Sequence, residues 1–184
     1  SFFKKYKLKP RVILDLGACW GEYSLFLAKE FANSKIYSIE GSQKNYEILL
    51  SNLKHNSSIS KNIFPSNLII SNQNGNENIV NEIGTMNTVK EFSKNFKNYT
   101  NINASTLISY CNKNNIKNID FIKIDIEGSE LKLLKDLQNL SIRSMQIEFI
   151  NYNPIQKILD FIKTLSKSYI YVKYNDQESL SIEE

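Results

Sequence analysis

A mostly parallel α/β sheet with helices on both faces is the fold this sequence predicts, and three observations predict it. Short apolar runs alternate with segments of helical apolar spacing through most of the chain. The first run, Val12-Ile-Leu-Asp-Leu16, has the apolar density of a strand buried on both faces. No internal repeat and no Pro/Gly/Ser linker divides the 184 residues, a length that suits one domain with one core.

The elements follow in order. Ser1 to Pro10 is basic and aromatic and reads as a solvated leader. After the strand Val12 to Leu16, Glu22 to Phe31 carries Leu25, Phe26, Ala28 and Phe31 at helical spacing. Lys35 to Glu40 reads as a second strand. Lys44 to Leu53 reads as a second helix, with Tyr46, Leu49, Leu50 and Leu53 on its apolar stripe. A third strand is expected over Ile63 to Ile70, where Pro65 keeps the early part out of a central ladder.

An Asn-rich stretch, Ser71 to Asn103, then interrupts the rhythm. Within it Val89, Phe92 and Phe96 have helical spacing, with Lys90, Lys94 and Lys97 on the other side. Beyond it come a helix (Ser105 to Asn114), a strand (Ile119 to Ile124), a helix (Ser129 to Leu137), a strand (Ser144 to Ile150) and a helix (Pro154 to Ser166). Tyr169 to Tyr174, a turn at Asn175 to Gln177 and a short strand around Ser179 to Ile182 read as a closing hairpin. That hairpin places an antiparallel strand at or near one edge of the sheet.

Composition narrows the function. With 41% hydrophobic residues, the chain is an ordinary globular one. It shows no bilayer-length apolar run and no signal-peptide pattern, so a cytoplasmic location is expected. The net charge is a modest +4, and the only arginines are Arg11 and Arg143. Scarce Arg weighs against nucleic acid as a partner. The single histidine, His55, and two cysteines, Cys19 and Cys111, leave no Ser-His-Asp triad, no His cluster for zinc and no disulfide scaffold. His55 is expected at the end of helix two, on the far side of the sheet from any site, as a solvated residue.

In a sheet of this kind ligands bind where the strands end, near the topological switch point. Asp15-Leu-Gly17-Ala-Cys-Trp-Gly21-Glu-Tyr-Ser24 joins the first strand to the first helix. Gly17 and Gly21 let the backbone turn sharply and come close to a ligand. Glu40 ends the second strand, where a carboxylate can accept both hydroxyls of a ribose. A nucleoside cofactor fits this pattern. The nicotinamide fingerprint G-x-G-x-x-G differs from this G-x-x-x-G loop, whose middle holds Cys19 and Trp20. Asp15, expected at the rim, would repel a pyrophosphate and favour a cationic cofactor. Cys19 itself reads as a small filler, and Trp20 as packing beneath the cofactor or in the core.

A second informative segment is Lys123-Ile-Asp125-Ile-Glu127-Gly128-Ser129-Glu130, which ends the fourth strand. Alternation puts Lys123 and Asp125 on one side, and Glu127 continues that side if the chain stays extended. With Glu148 from the fifth strand, these acids converge near the rim if strands four and five are neighbours. A plainer reading has Asp125 and Glu127 favour the next helix N-terminus and pair with Lys123.

The two segments together resemble the FkbM family of methyltransferases. The match rests on Asp15 to Ser24, on Glu40, and on Phe121-Ile-Lys-Ile-Asp-Ile-Glu-Gly-Ser-Glu130, with support from Thr106-Leu107 and Gln146-Ile-Glu148-Phe. It runs from about Val12 to the final hairpin. The resemblance implies a Rossmann-like class I methyltransferase fold and methyl transfer from S-adenosylmethionine, commonly to a hydroxyl oxygen on sugars or related small molecules. The family usually has Pro after the acidic residue of strand two; here Gly41-Ser42 follows Glu40.

The expected cofactor-binding set is therefore Asp15, Gly17, Ala18, Gly21, Ser24, Glu40, Gly41, Asn67 and Asp125. An alcohol must lose its proton as it is methylated, and Asp125, Glu127 and Glu148 are the expected catalytic residues. Direct carboxylate assistance ranks above a divalent cation held by the three acids, and no metal ligand is assigned. Residues 71–103, far longer than a βα connection of about 2–6 residues, are expected to cover the pocket of a small-molecule or saccharide acceptor. Three other readings stay in view: a nicotinamide-dependent oxidoreductase, a non-catalytic Rossmann-like interaction module and an RNA methyltransferase.

Overall fold

A computed structural model describes residues 3, 8–80, 99–149 and 154–166. Its centre is a five-stranded, all-parallel sheet in the order β10-β8-β1-β2-β3. The strands are β1 (Val12–Leu16), β2 (Lys35–Glu40), β3 (Ile63–Asn67), β8 (Phe121–Ile124) and β10 (Met145–Ile147). The chain builds outward from β1 to β3, then crosses back to lay β8 and β10 on the other side of β1. This reversal puts the switch point between β1 and β8.

Alternation along β1 divides the core in two. Leu14 and Leu16 face helices α3 (Leu107–Lys113), α4 (Leu134–Asn139) and α5 (Ile155–Ser166), in a cluster that includes Tyr110, Leu137 and Phe161. Ile13 faces helices α1 (Glu22–Glu30) and α2 (Gln43–His55), with Leu27, Leu49 and Phe121. Both faces are covered, which is why the strands carry nearly continuous apolar runs. Local caps set the helix starts. The Ser42 hydroxyl accepts from Asn45 N at 3.4 Å, and Thr106 Oγ1 accepts from Ser109 N at 3.1 Å.

The structure differs from the sequence expectations in four places. The third strand divides at Leu68: Ile63–Asn67 pairs with β2, whereas β4 (Ile69–Ile70) joins a second sheet, β4-β6-β5. Asn67 Nδ2 donates to the carbonyls of Glu40 and Gly41 at 2.9 and 3.1 Å. This side-chain amide occupies the last acceptors of β2, so backbone pairing stops there. Pro65 lies on the edge strand of the main sheet, opposite Ser38.

The polar stretch after Ile70 contains β5 (Gly75–Val80) and, with its end, β6 (Tyr99–Ser105), an antiparallel pair in register from Gly75↔Ala104 to Val80↔Tyr99. Ile79, Ile102 and Ala104 point inward against Ile69, while Asn76, Asn78, Asn101 and Asn103 are exposed. The Val89, Phe92 and Phe96 stripe lies outside the described residues, as does the terminal hairpin.

The expected strand Ile119 to Ile124 breaks at Asp120, whose carboxylate accepts the backbone N–H groups of Arg11 and Val12 at 2.8 and 3.0 Å. Asn118 and Ile119 (β7) pair instead with Ser141 and Ile142 (β9). Last, the helix expected from Ser129 begins as a 3-10 turn, Glu130–Leu133, before α4. No helix among the described residues is long and apolar enough to cross a membrane.

Candidate active site

The C-terminal ends of β1, β2 and β8 open into a cleft, where a sheet of this kind places its ligands. Following the strand order, Gly41, Leu68, Ile69 and Ile79 form an apolar end beside β2. Gly17, Cys19 and Glu40 lie in the middle, and Asp125, Glu127 and Ser129 form the end beside β8.

The β1–α1 loop turns through three left-handed residues, Gly17 (φ 79°), Cys19 (φ 49°) and Gly21 (φ 83°). A Cβ on Gly17 would stand 1.8 Å from the Asp125 carbonyl oxygen. The glycine is thus demanded by the neighbouring strand end as well as by the turn, and lets β1 and β8 close side by side beneath the cleft. Gly21 meets Leu49 of α2 rather than ligand space. Trp20 also turns toward α2, donating from Nε1 to Asn45 Oδ1 at 3.1 Å. Cys19 lines the cleft, and burial pushes its thiol up to about 11.

Glu40 is buried and central. Its Oε2 accepts from Cys19 N at 2.9 Å and its Oε1 from Ser42 N at 2.7 Å. One carboxylate therefore pins the β1–α1 loop to the start of α2. Burial raises its pKa, against these N–H groups, which hold the charged form. The Asn45 side chain also donates to this carboxylate, which lines the cleft.

Asp15 is placed differently from the expectation. It lies fully buried beneath α1, away from the cleft lining, because strand alternation turns it to the helix face. There it belongs to a polar row across the sheet, with Ser38 and Lys123 as its register partners and Gln146 next to Lys123. Ser24 donates to Asp15 Oδ2 at 2.5 Å, and Tyr23 donates to Gln146 at 3.2 Å. Asp15 Oδ1 has no hydrogen-bond partner among the described residues; Lys123 Nζ stands 3.9 Å from it. Burial raises the Asp15 pKa, opposed by Lys123 and Ser24.

Beyond β8 the chain does not stay extended. Glu127 (φ 55°) and Gly128 (φ 100°) are left-handed, which turns the loop back and leaves the Glu127 side chain on the cleft. Burial, Asp125, Glu130 and Glu148 together push Glu127 up to about 7. Asp125 accepts from Lys123 Nζ at 2.8 Å. Glu148 is exposed; its backbone N–H donates to Ile124 O at 2.9 Å, so β10 brings it near Glu127 and Lys123 without lining the cleft. Among the described residues no group of three His, Cys, Asp or Glu side chains is placed to hold a metal ion.

Of the residues expected at the cofactor, Gly17, Glu40, Gly41 and Asp125 line the cleft. Ala18, Gly21, Ser24 and Asn67 lie behind its walls, as Asp15 does. Leu68, Ile69, Ile79 and Ser129 were not foreseen. The apolar wall depends on the divided third strand and on β5, where alternate Asn residues mask the strand pattern. His55 is exposed at the C-terminus of α2, with Nδ1 2.8 Å from Ser51 O.

A parallel sheet in this order, with its cleft at the switch point, is a Rossmann-like class I methyltransferase fold. The chain matches the model of the methyltransferase FkbM domain over residues 15–171, and it belongs to that family. Among solved structures it is similar to methyltransferase FkbM from Methylobacillus flagellatus KT, with 20% identity and a TM-score of 0.56 over 86% of this chain and 37% of that one. It therefore spans little more than a third of that relative. Precorrin-6y C5,15-methyltransferase from Geobacter metallireducens GS-15 shares 12% identity and a TM-score of 0.54, over 98% of this chain and 79% of the other. The Methanococcus jannaschii fibrillarin pre-rRNA processing protein shares 14% identity and a TM-score of 0.51, over 91% and 60% respectively. At these identities the likeness is one of fold. No curated protein matches the chain in sequence.

Proposed function

We propose that this domain transfers a methyl group from S-adenosylmethionine to a hydroxyl oxygen of a sugar, glycan or related small molecule. The carrying observation is one cleft with an apolar end, a buried carboxylate at its centre and an acidic end. That order of surfaces fits an adenine, a ribose and a cationic amino-acid tail. The described residues lining the cleft include no Lys, Arg or His, whereas Glu40, Asp125 and Glu127 are all acidic. A dinucleotide pyrophosphate would meet like charge there, which weighs against the oxidoreductase reading.

When bound, S-adenosylmethionine supplies a methyl group already activated on a sulfonium. The chain's own residues do the rest. Glu40 accepts the ribose hydroxyls, while Leu68, Ile69 and Ile79 cover the base. Asp125, held by Lys123, accepts from the tail ammonium. Glu127 takes the proton of the acceptor hydroxyl: it faces the cleft, and a carboxylate poised near 7 suits a general base at neutral pH. Glu148 contributes negative potential from the solvent side. Residues 71–103 are proposed to select the acceptor, on the ground of a length far beyond an ordinary βα connection of about 2–6 residues.

The test is methyl transfer from labelled cofactor to a panel of mono- and oligosaccharides. The label should be recovered as an alkali-stable methyl ether. Alkali-labile label, or no transfer by a chain that binds S-adenosylhomocysteine, would contradict hydroxyl methylation.

A further inference from the structure

Ser129 is 3% exposed and lines the cleft, yet its Oγ has no hydrogen-bond partner among the described residues. A buried hydroxyl without a partner is uncommon and calls for an explanation. Ser129 precedes the 3-10 turn Glu130–Leu133, where a serine ordinarily turns its oxygen onto a backbone N–H. Here it makes no such bond. The fully buried Glu130 has taken that work: its carboxylate accepts from Gly128 N at 2.9 Å and also from the N–H groups of Ile126 and Glu130. The loop is satisfied without the serine, and the hydroxyl is left for whatever occupies the cleft.

The neighbours of Ser129 define what that is. An α-amino acid presents an ammonium and a carboxylate on one carbon. The carboxyl groups of Asp125 and Glu127 beside Ser129 make this the acidic end of the cleft. They suit the ammonium and repel the carboxylate, which needs a donor from the same wall. Building on the cofactor reading above, we propose that the Ser129 hydroxyl donates to the carboxylate of the cofactor's amino-acid tail. Ser129 is then a residue that reads the tail and not the nucleoside, and it sets how firmly the methionine end is held.

The experiment is calorimetric titration of the full chain and of Ser129→Ala with two ligands. S-adenosylhomocysteine carries the tail; 5′-methylthioadenosine is the same nucleoside thioether without it. The variant should bind S-adenosylhomocysteine about tenfold or more weakly, as expected for a lost bond to a charged group, and methylthioadenosine unchanged. Ser129→Thr, which keeps the hydroxyl, should restore most of the difference. The unliganded variant should melt no lower than the wild type, because only an unpartnered hydroxyl is removed. Equal weakening for both ligands, or no weakening for either, overturns the proposal. If the wild-type chain binds neither ligand, the cofactor reading falls first and this inference with it.

Discussion

The Lys123 ammonium donates to Asp125 at 2.8 Å while standing 3.9 Å from the fully buried Asp15. One cation thus joins a carboxylate on the cleft to one sealed beneath α1. Burial opposes the charge on Lys123, and Asp15 and Asp125 outweigh it, so its pKa is raised. Removing the cation in Lys123→Met leaves Asp15 buried without its counter-ion. The expected loss in urea unfolding at neutral pH is about 3–5 kcal/mol. Asp15 already has a raised folded-state pKa, which Lys123 holds down. Without Lys123 it rises further, and the folded variant then binds more protons than its unfolded chain. The deficit should therefore shrink as pH falls. In an Asp15→Asn background the Lys123 substitution should matter much less. A loss below about 1 kcal/mol, the level of an exposed pair, would show that the triad is not coupled.

Glu127 should govern the pH profile. Its pKa of about 7 predicts that kcat/KM rises through neutral pH, as the free enzyme's base loses its proton. Glu127→Gln should lower the rate by about 10²–10⁴ and abolish that limb. The stability effect has the opposite sense. A carboxyl with a raised folded pKa binds more protons folded than unfolded, so its contribution is lost as pH rises from about 4.5 to about 7. Glu127→Gln should flatten that part of the stability curve. An unchanged rate profile in the variant would remove Glu127 from the proton transfer.

His55→Ala should leave turnover nearly unchanged. The imidazole is exposed at the C-terminus of α2, at the opposite rim from the cleft. Steady-state rates with circular dichroism as the folding control are sufficient. A large loss of rate in a folded variant would contradict the carboxylate mechanism.

The parallel α/β class was legible in the sequence because β1, β2 and β8 are buried on both faces and leave dense apolar runs between helical segments. Glu40 was legible for the same reason: an acid at the end of such a run has to meet something polar. Asp15 was read at the rim because sequence gives a strand's end but not the face its last residues take. The second sheet was hidden by outward Asn residues on β5 and β6, which break no rule of alternation but leave only Ile79, Ile102 and Ala104 to show it. The left-handed turn at Glu127 had no signal beyond the adjacent Gly128. Ser129 was passed over because its availability depends on Glu130 turning back onto the loop, a tertiary event.

Calorimetric titration with S-adenosylhomocysteine, in the wild type and in Glu40→Gln, bears most directly on the cofactor cleft. The wild type should bind one equivalent and should not bind a nicotinamide dinucleotide at comparable concentration. The Glu40 variant should lose about 1.5–3 kcal/mol of binding free energy, the range for a hydrogen bond to a charged group. It should also melt lower, because the N–H groups of Cys19 and Ser42 lose one of their two acceptors. Undiminished affinity in the variant, or binding of the dinucleotide in place of S-adenosylhomocysteine, would contradict the assignment of this cleft.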